Sequence, residues 1–195
     1  MKPELYQKLY TEKGLHYGSA ARDRCPGVRY LPTYEKWIES PIIDLGCGTG
    51  DTVKALRDKG FECDGVDQVR LDNDMIVSDI TIPMNLSMYN TALCIDVLEH
   101  LDERGIDQVL DNMTQTQRSV ISIHTGSSTV HGHELHETQR PIAWWRSRVC
   151  VRFDIDTMIV VNRERFVFLL RSRARPRSTR AALLLQKVGQ SAPTS

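Results

Sequence analysis

PIIDLGCGTGDTVKALRDKGFECDGVD, residues 41–67, is the stretch whose reading decides the fold. It opens with a short apolar run, Ile42-Ile43-Asp44-Leu45, and turns through Gly46-Cys47-Gly48-Thr49-Gly50. From Asp51 to Lys59 the apolar residues Val53 and Leu56 fall at helical spacing, and Gly60 stops the helix. Phe61 to Val66 reads as a second strand that ends at Asp67. A glycine-rich turn between a strand and a helix lets the backbone bend sharply and lets a ligand approach with no Cβ in the way. The following helix aims its first amides at that ligand. Asp67 stands 21 residues after Gly46, at the end of the next strand, where a carboxylate can accept both ribose hydroxyls of a bound nucleoside.

Outward from this segment, strands and helices alternate. Met75-Ile76-Val77 reads as a third strand leading to Asp79, and Thr91-Ala-Leu-Cys-Ile95 as a fourth ending at Asp96. Residues 102–117 are helical in pattern, with Ile106, Val109, Leu110 and Met113 on one face, and residues 119–124 form a fifth strand. This alternation implies a doubly wound α/β domain whose parallel strands are buried on both faces, which is why IID, ALCI and SVISI are continuous apolar runs. Residues 125–140 read as a polar, histidine-rich loop, and Pro141 to Arg148 as a short helix. Val149 to Ile155 and Met158 to Leu170 read as a terminal antiparallel pair of strands. Three units are expected: a helical lid over 1–40, interrupted by Pro26, Gly27 and Pro32; the main domain over 41–171; and a basic tail over 172–195.

The chain has 195 residues, 41% of them hydrophobic and 26% charged, a globular composition that excludes a wholly disordered or coiled-coil chain. No apolar run approaches the roughly 18 residues of a membrane helix, so no membrane span is expected. The 25 basic and 25 acidic residues cancel overall, but residues 171–195 carry six bases and no acid, a basic end on an acidic body. Five scattered cysteines without a CxxC read as reduced thiols in a cytoplasmic protein.

The pieces IIDLGCGTGDTVKALRDKGFECDGVD at 42–67, SDI at 78–80 and TALCIDVLEHLDE at 91–103 resemble the class I S-adenosylmethionine-dependent methyltransferases over about residues 42–170. The GxGxG spacing departs from the GxGxxG of nicotinamide enzymes. The resemblance implies a Rossmann-like, mostly parallel seven-stranded sheet with a terminal antiparallel strand, and S-adenosylmethionine as cofactor. It also implies that Asp44, Gly46, Gly48 and Gly50 hold the methionine part and Asp67 the ribose. Asp79 would accept from the adenine amine, with the Ile80 amide near the ring. Asp96 would face cofactor and substrate.

The acceptor is less defined. After the fourth strand stands Ile95-Asp96-Val97-Leu98-Glu99-His100, neither the [DN]PP[YF] of exocyclic-amine methylation nor a Pro-Cys nucleophile pair. Asp96, Glu99 and His100 are the candidate catalytic residues, and at i, i+3 and i+4 they would share one helical face. The pattern resembles the ExxEH of metal-assisted O-methyltransferases, those of quinone biosynthesis and the small-RNA 3′-terminal 2′-O-methyltransferases. There a histidine after the fifth strand completes a divalent site. His133 of the His131-Gly-His133-Glu-Leu-His136 run is the candidate, which gives Asp96, Glu99, His100 and His133 as ligands for Mg²⁺, Mn²⁺ or Zn²⁺. His100 acting as a base without metal and a structural role for the turn stay open beside it, as does a role for Trp144 or Trp145 in the acceptor pocket. The main expectation is methyl transfer to oxygen or nitrogen of a small molecule. The alternatives are a metal-assisted RNA 2′-O-methyltransferase, which draws on the basic tail for phosphate attraction, and a non-catalytic cofactor-binding partner subunit.

Overall fold

The computed structural model describes residues 3–11, 25–71, 73–130 and 132–173. His131, residues 12–24 of the expected lid and the basic tail from residue 174 lie outside the described residues. The described chain runs through α1 (Pro3–Thr11), α2 (Pro26–Tyr34), β1 (Ile42–Leu45), α3 (Asp51–Asp58), β2 (Cys63–Asp67), β3 (Ile76–Val77) and β4 (Thr91–Ile95). A 3₁₀ turn (Leu98–His100) leads to α4 (Glu103–Met113), β5 (Arg118–His124), β6 (Thr129–Val130), β7 (His133–Glu134), α5 (Ile142–Cys150), β8 (Phe153–Val160) and β9 (Arg165–Ser172).

Seven strands form one sheet in the order β3-β2-β1-β4-β5-β9-β8. All neighbours from β3 to β5 are parallel; β9 lies antiparallel between β5 and β8. The strand order reverses where β1 and β4 sit side by side, and the carboxyl ends of those strands frame the crevice in which such sheets bind ligands. Alternate residues feed two cores. Ile43, Leu45, Cys94, Ile121 and Phe168 pack with α4 and α5; Ile42, Leu93, Val120, Val167 and Leu169 pack with α2 and α3. This is the fold the apolar runs predict.

Local signals place the helices. Gly50, at φ 73°, precedes α3, and Asp51 puts an acid in its first turn. The helix closes with Gly60 N–H donating to the Arg57 carbonyl and Phe61 N–H to the Leu56 carbonyl, the paired bonds of a Schellman end, with Gly60 at φ 87°. Asp102 caps α4 by accepting from Gly105 N–H at 2.7 Å. The acids Glu103, Asp107 and Asp111 at one-turn spacing meet Arg148 and Arg152, which ties α4 to α5.

Several expected boundaries move. Pro26 and Pro32 do not interrupt a helix but lie within α2. Pro26 takes a first-turn position where no N–H is needed, and exposed Pro32 removes one bond two residues before the helix ends. The helix expected over 102–117 stops at Met113, where the Thr116 hydroxyl bonds the Met113 and Arg118 carbonyls. Residues 149–152 belong to α5 and the turn after it, and the break between the last two strands lies at 161–164 rather than 156–157. There the Asn162 carboxamide oxygen accepts from Glu164 N–H at 2.9 Å, whereas Asp156 sits at an irregularity in the β8–β9 register, which strand pairing absorbs. The loop at 125–140 contains the small hairpin β6–β7.

Phe168 is fully buried and sits on β9 between Ile121 and Met158. Phe168→Ala should therefore lower the unfolding free energy by about 3–5 kcal/mol, read from urea denaturation.

Candidate functional site

The glycine turn is bent by three residues with positive φ: Gly46 at 80°, Gly48 at 53° and Gly50 at 73°. A Cβ on Gly46 would come within 2.7 Å of Val97, so the turn packs directly against the segment after β4. Gly46 and Cys47 N–H groups both donate to the Val66 carbonyl, at 2.8 and 3.0 Å, which fastens the turn to β2. Asp67, at the end of β2, continues that fastening: its Oδ2 accepts from Gly48 N–H at 2.9 Å and its Oδ1 from Val69 N–H at 3.0 Å. Burial raises the Asp67 carboxyl, and the amides of Val69, Gly48 and Gln68 pull it back toward the ionised form.

Asp44, at the centre of β1, is only 2% exposed. Burial lifts its carboxyl to about 7, and the neighbouring Asp67 charge adds to the rise. On the far side of β2, Asp79 is exposed and its Oδ1 accepts from the amide and hydroxyl of Thr81 at 2.8 and 2.7 Å. Ile80 beside it is buried, and Asn112 of α4 holds that segment by donating to the Ile80 and Ile82 carbonyls at 3.0 and 2.8 Å and accepting from Met84 N–H. Asp44, Gly46, Gly48, Gly50 and Asp67 are thus brought together, with Asp79 and Ile80 in the segment that follows β3.

The turn after β4 departs from the expected geometry. Asp96 is not on a helix; it has φ 53°, and its amide donates to the Ser122 hydroxyl at 2.9 Å. Its carboxylate is taken by the Ser122 hydroxyl and the Arg165 guanidinium. Glu99 and His100 stand on the 3₁₀ turn, and the residue that joins them is His136, not His133. The potential ligand atoms of Glu99, His100 and His136 all lie within 4.8 Å of one another, and all three residues are buried. His133 is exposed on β7. Of the expected ligands Asp96, Glu99, His100 and His133, the structure brings Glu99 and His100 together with His136 and leaves Asp96 and His133 outside that group. Both residues of β7, His133 and Glu134, are exposed, and the chain turns into the interior only at Leu135 and His136. His136 was within the histidine run, but only the hairpin reveals which of those histidines points inward.

The donor set fits a divalent cation. Glu99 Oε1 accepts from His124 N–H at 2.8 Å, while Glu99 Oε2 is buried without a hydrogen-bond partner. The Leu135 carbonyl lies 2.9 Å from His100 Nδ1, and the Gly126 carbonyl 2.5 Å from His136 Nδ1. A carbonyl only accepts, so both imidazoles carry their proton on Nδ1 and keep a lone pair on Nε2, the arrangement in which histidine ligates metals. Without a cation, burial pushes the Glu99 carboxyl well up, with the Asp96 charge adding to it. Burial and His136 together hold His100 down to about 4. Tyr6 of α1 lies 2.8 Å from the same His100 Nδ1. A cavity of about 480 Å³ opens here between Leu5 and Tyr6 of α1, His100, and His133, Glu134 and Leu135 of the hairpin.

Asp44 gives a prediction with a definite sign. Its folded pKa stands above its unfolded one, so the stability it contributes is complete below about pH 4 and is lost as pH rises through about 7. Asp44→Asn should match the parent chain near pH 4 and be more stable at pH 8, by at most about 4 kcal/mol, in thermal unfolding of the ligand-free protein.

A family model described as a methyltransferase domain matches residues 21–152. No curated protein sequence matches the chain. Among solved structures, the PH0226 protein of Pyrococcus horikoshii OT3 superposes with a TM-score of 0.68 at 16% identity, over 89% of this chain and 100% of that one. The Burkholderia thailandensis 1,6-didemethyltoxoflavin-N1-methyltransferase, solved with bound 1,6-didemethyltoxoflavin and S-adenosylhomocysteine, gives a TM-score of 0.65 at 14% identity, over 88% and 91%. The methyltransferase domain of a bacterial protein, CtHen1-C, gives 0.60 at 17% identity, over 78% and 99%. With the family match covering the glycine turn, Asp67 and the turn after β4, the chain belongs to the class I S-adenosylmethionine-dependent methyltransferases.

Proposed function

We propose that this chain is an O-methyltransferase for a small-molecule acceptor and that it holds a divalent cation on Glu99, His100 and His136. The observation that carries this reading is the buried Glu99 Oε2, which has no hydrogen-bond partner and stands beside two imidazoles with their Nδ1 positions already committed. A structural turn would satisfy that oxygen; a metal ligand must leave it open.

Methyl transfer from a sulfonium is an in-line displacement, so the protein chiefly has to bring the two partners together. Asp44, Gly46, Gly48 and Gly50 would hold the methionine part of the cofactor, with the Asp44 carboxylate facing its ammonium. Asp67 would accept from the ribose hydroxyls while it keeps the Gly48 and Val69 amides in place. Asp79 and the Ile80 amide would border the adenine. When bound, a divalent cation on Glu99, His100 and His136 would lower the pKa of an acceptor hydroxyl and orient it. The cavity beside His100 leads toward this cluster, and among the described residues its walls include Glu134 and Glu137 and no lysine or arginine. Such a wall repels a polyanion, which favours a small acceptor over RNA.

The test is methyl transfer from labelled S-adenosylmethionine to a panel of small phenols and vicinal diols, small amines and a single-stranded RNA, with and without EDTA. Transfer to a hydroxyl that EDTA abolishes and Mn²⁺ or Mg²⁺ restores is the expected result. His136→Ala should lower that rate by about 100-fold while S-adenosylhomocysteine binding by calorimetry stays intact. Asp67→Ala should instead weaken cofactor binding by at least about tenfold. Transfer to nitrogen, or transfer indifferent to EDTA, would sink the cation-assisted reading. Preferred transfer to RNA would replace the small-molecule acceptor. Cofactor binding with no turnover on any acceptor would favour a partner subunit.

A further inference from the structure

Arg165 is the first residue of β9 and pairs in register with His124 at the end of β5. Its guanidinium reaches back across β5 to the Asp96 carboxylate at the end of β4. We infer that Arg165 is a positioning residue that withholds Asp96 from the Glu99–His100–His136 cluster, so that the cluster meets a divalent cation with one carboxylate rather than two. The inference rests on the cation-site reading above.

Five observations support it. Asp96 precedes Glu99 by three residues and is close enough for its charge to act on Glu99, His100 and His136. It nevertheless stands outside the group of side chains whose ligand atoms converge. Its backbone is held in a left-handed conformation, φ 53°, which is unfavourable for a non-glycine residue and persists where neighbours impose it. The neighbours are on hand: Ser122 takes the Asp96 amide and one carboxylate oxygen, and Arg165 takes the other oxygen. The ion pair is sheltered, its side chains 28% and 13% exposed, and buried Tyr30 of α2 is close enough to the guanidinium to interact with its charge. With one oxygen on the Arg165 guanidinium and the other on the Ser122 hydroxyl, the carboxylate is held away from the histidines.

The consequence is a matter of charge. With Asp96 neutralised by Arg165, a divalent cation on Glu99 and two neutral imidazoles keeps a net positive charge. Adding Asp96 would bring that charge to zero, bind the cation more tightly and weaken its pull on an acceptor proton. Arg165 thus favours acidity of the site over affinity.

The experiment is calorimetric titration of the full chain with Mn²⁺ alone, each variant first checked by its melting curve and by S-adenosylhomocysteine binding. Arg165→Met should bind Mn²⁺ about tenfold more tightly than the parent chain. Arg165→Lys, which keeps the charge, should stay close to the parent. The double variant Arg165→Met with Asp96→Asn should return to within about twofold of it, because the ligand released by the first change is removed by the second. Arg165→Gln replaces Arg165→Met if the latter does not fold. Unchanged or weaker Mn²⁺ binding in the folded neutral variant overturns the inference while parent binding that His136→Ala abolishes leaves the cation reading standing. Binding seen only after Arg165 is neutralised overturns a cation in the native site, and with it the inference that the native cluster meets one with a single carboxylate. No binding in either chain overturns both.

Discussion

A parallel sheet covered by helices on both faces leaves its polar chemistry one place to go, the carboxyl ends of the strands. Ile42 and Ile43, or Leu93 and Cys94, are neighbours in sequence that serve opposite cores, so no side-chain position along β1 or β4 is free for a solvated charge. Asp44 is the exception, and its raised carboxyl measures the cost of placing an acid within such a strand. The remaining acids stand where β2 and β4 end, at Asp67 and Asp96, with Glu99 just beyond. The glycine turn is held to the same edge, since its amides can reach the Val66 carbonyl only if β2 runs beside β1 in parallel.

The loops on that edge are fixed by side chains from elsewhere rather than by their own composition. Asn112 and Gln115 project from the end of α4 and together hold the segment from Ile80 to Leu86 through both of their amide faces. The same helix is tied to α5 by the pairing of Glu103, Asp107 and Asp111 with arginines. Tyr6 and Leu9 of α1 pack with Val69 and Leu135, so a single short cluster joins the loop after Asp67 to the hairpin that supplies His136. The elements around the glycine turn and those around His136 are therefore neighbours through packing, although they are far apart in sequence.

This arrangement explains what could be read from the residues alone. The glycine turn, Asp67 and the strands at 91–95 and 118–124 depend on local rules: apolar runs, a helix start and stop, an acid at a strand end. Those rules suffice to place the sheet. The last two strands fall outside their expected bounds because Asp156 has the chemistry of a turn residue but sits in a register irregularity that the β8–β9 pairing tolerates. The cluster beyond β4 was half legible. Glu99 and His100 follow from a local pattern, but the assumption that residues 96–100 form one regular helical turn fails at Asp96, whose backbone answers to Ser122 and Arg165. Arg165 lies 69 residues away from Asp96, and nothing in the intervening sequence marks it as a partner. Choosing His136 over His133 requires the hairpin, whose two-residue strands fall below any periodicity a sequence can display.

The acids at this edge have different partners. Asp67 accepts from the Gly48 and Val69 amides and Asp96 pairs with the Arg165 guanidinium, whereas Glu99 has the His124 amide on one oxygen only and Asp44 sits beside the Asp67 charge; burial pushes Asp44 and Glu99 toward the protonated form. The partners of the first two are built into the fold and do not depend on a ligand. The last two acids lie in the parts of the edge where cationic groups would come to rest, the ammonium of the methionine portion beside Asp44 and a divalent cation beside Glu99. A positive ligand reverses the balance at each, because it stabilises the carboxylate that burial disfavours. The fold's least favourable charges are thus the ones for which binding supplies the missing partner, and each such event releases a proton. On the proposed reading, cofactor and cation binding at this edge would weaken together as pH falls, because each draws on a carboxyl that burial has raised.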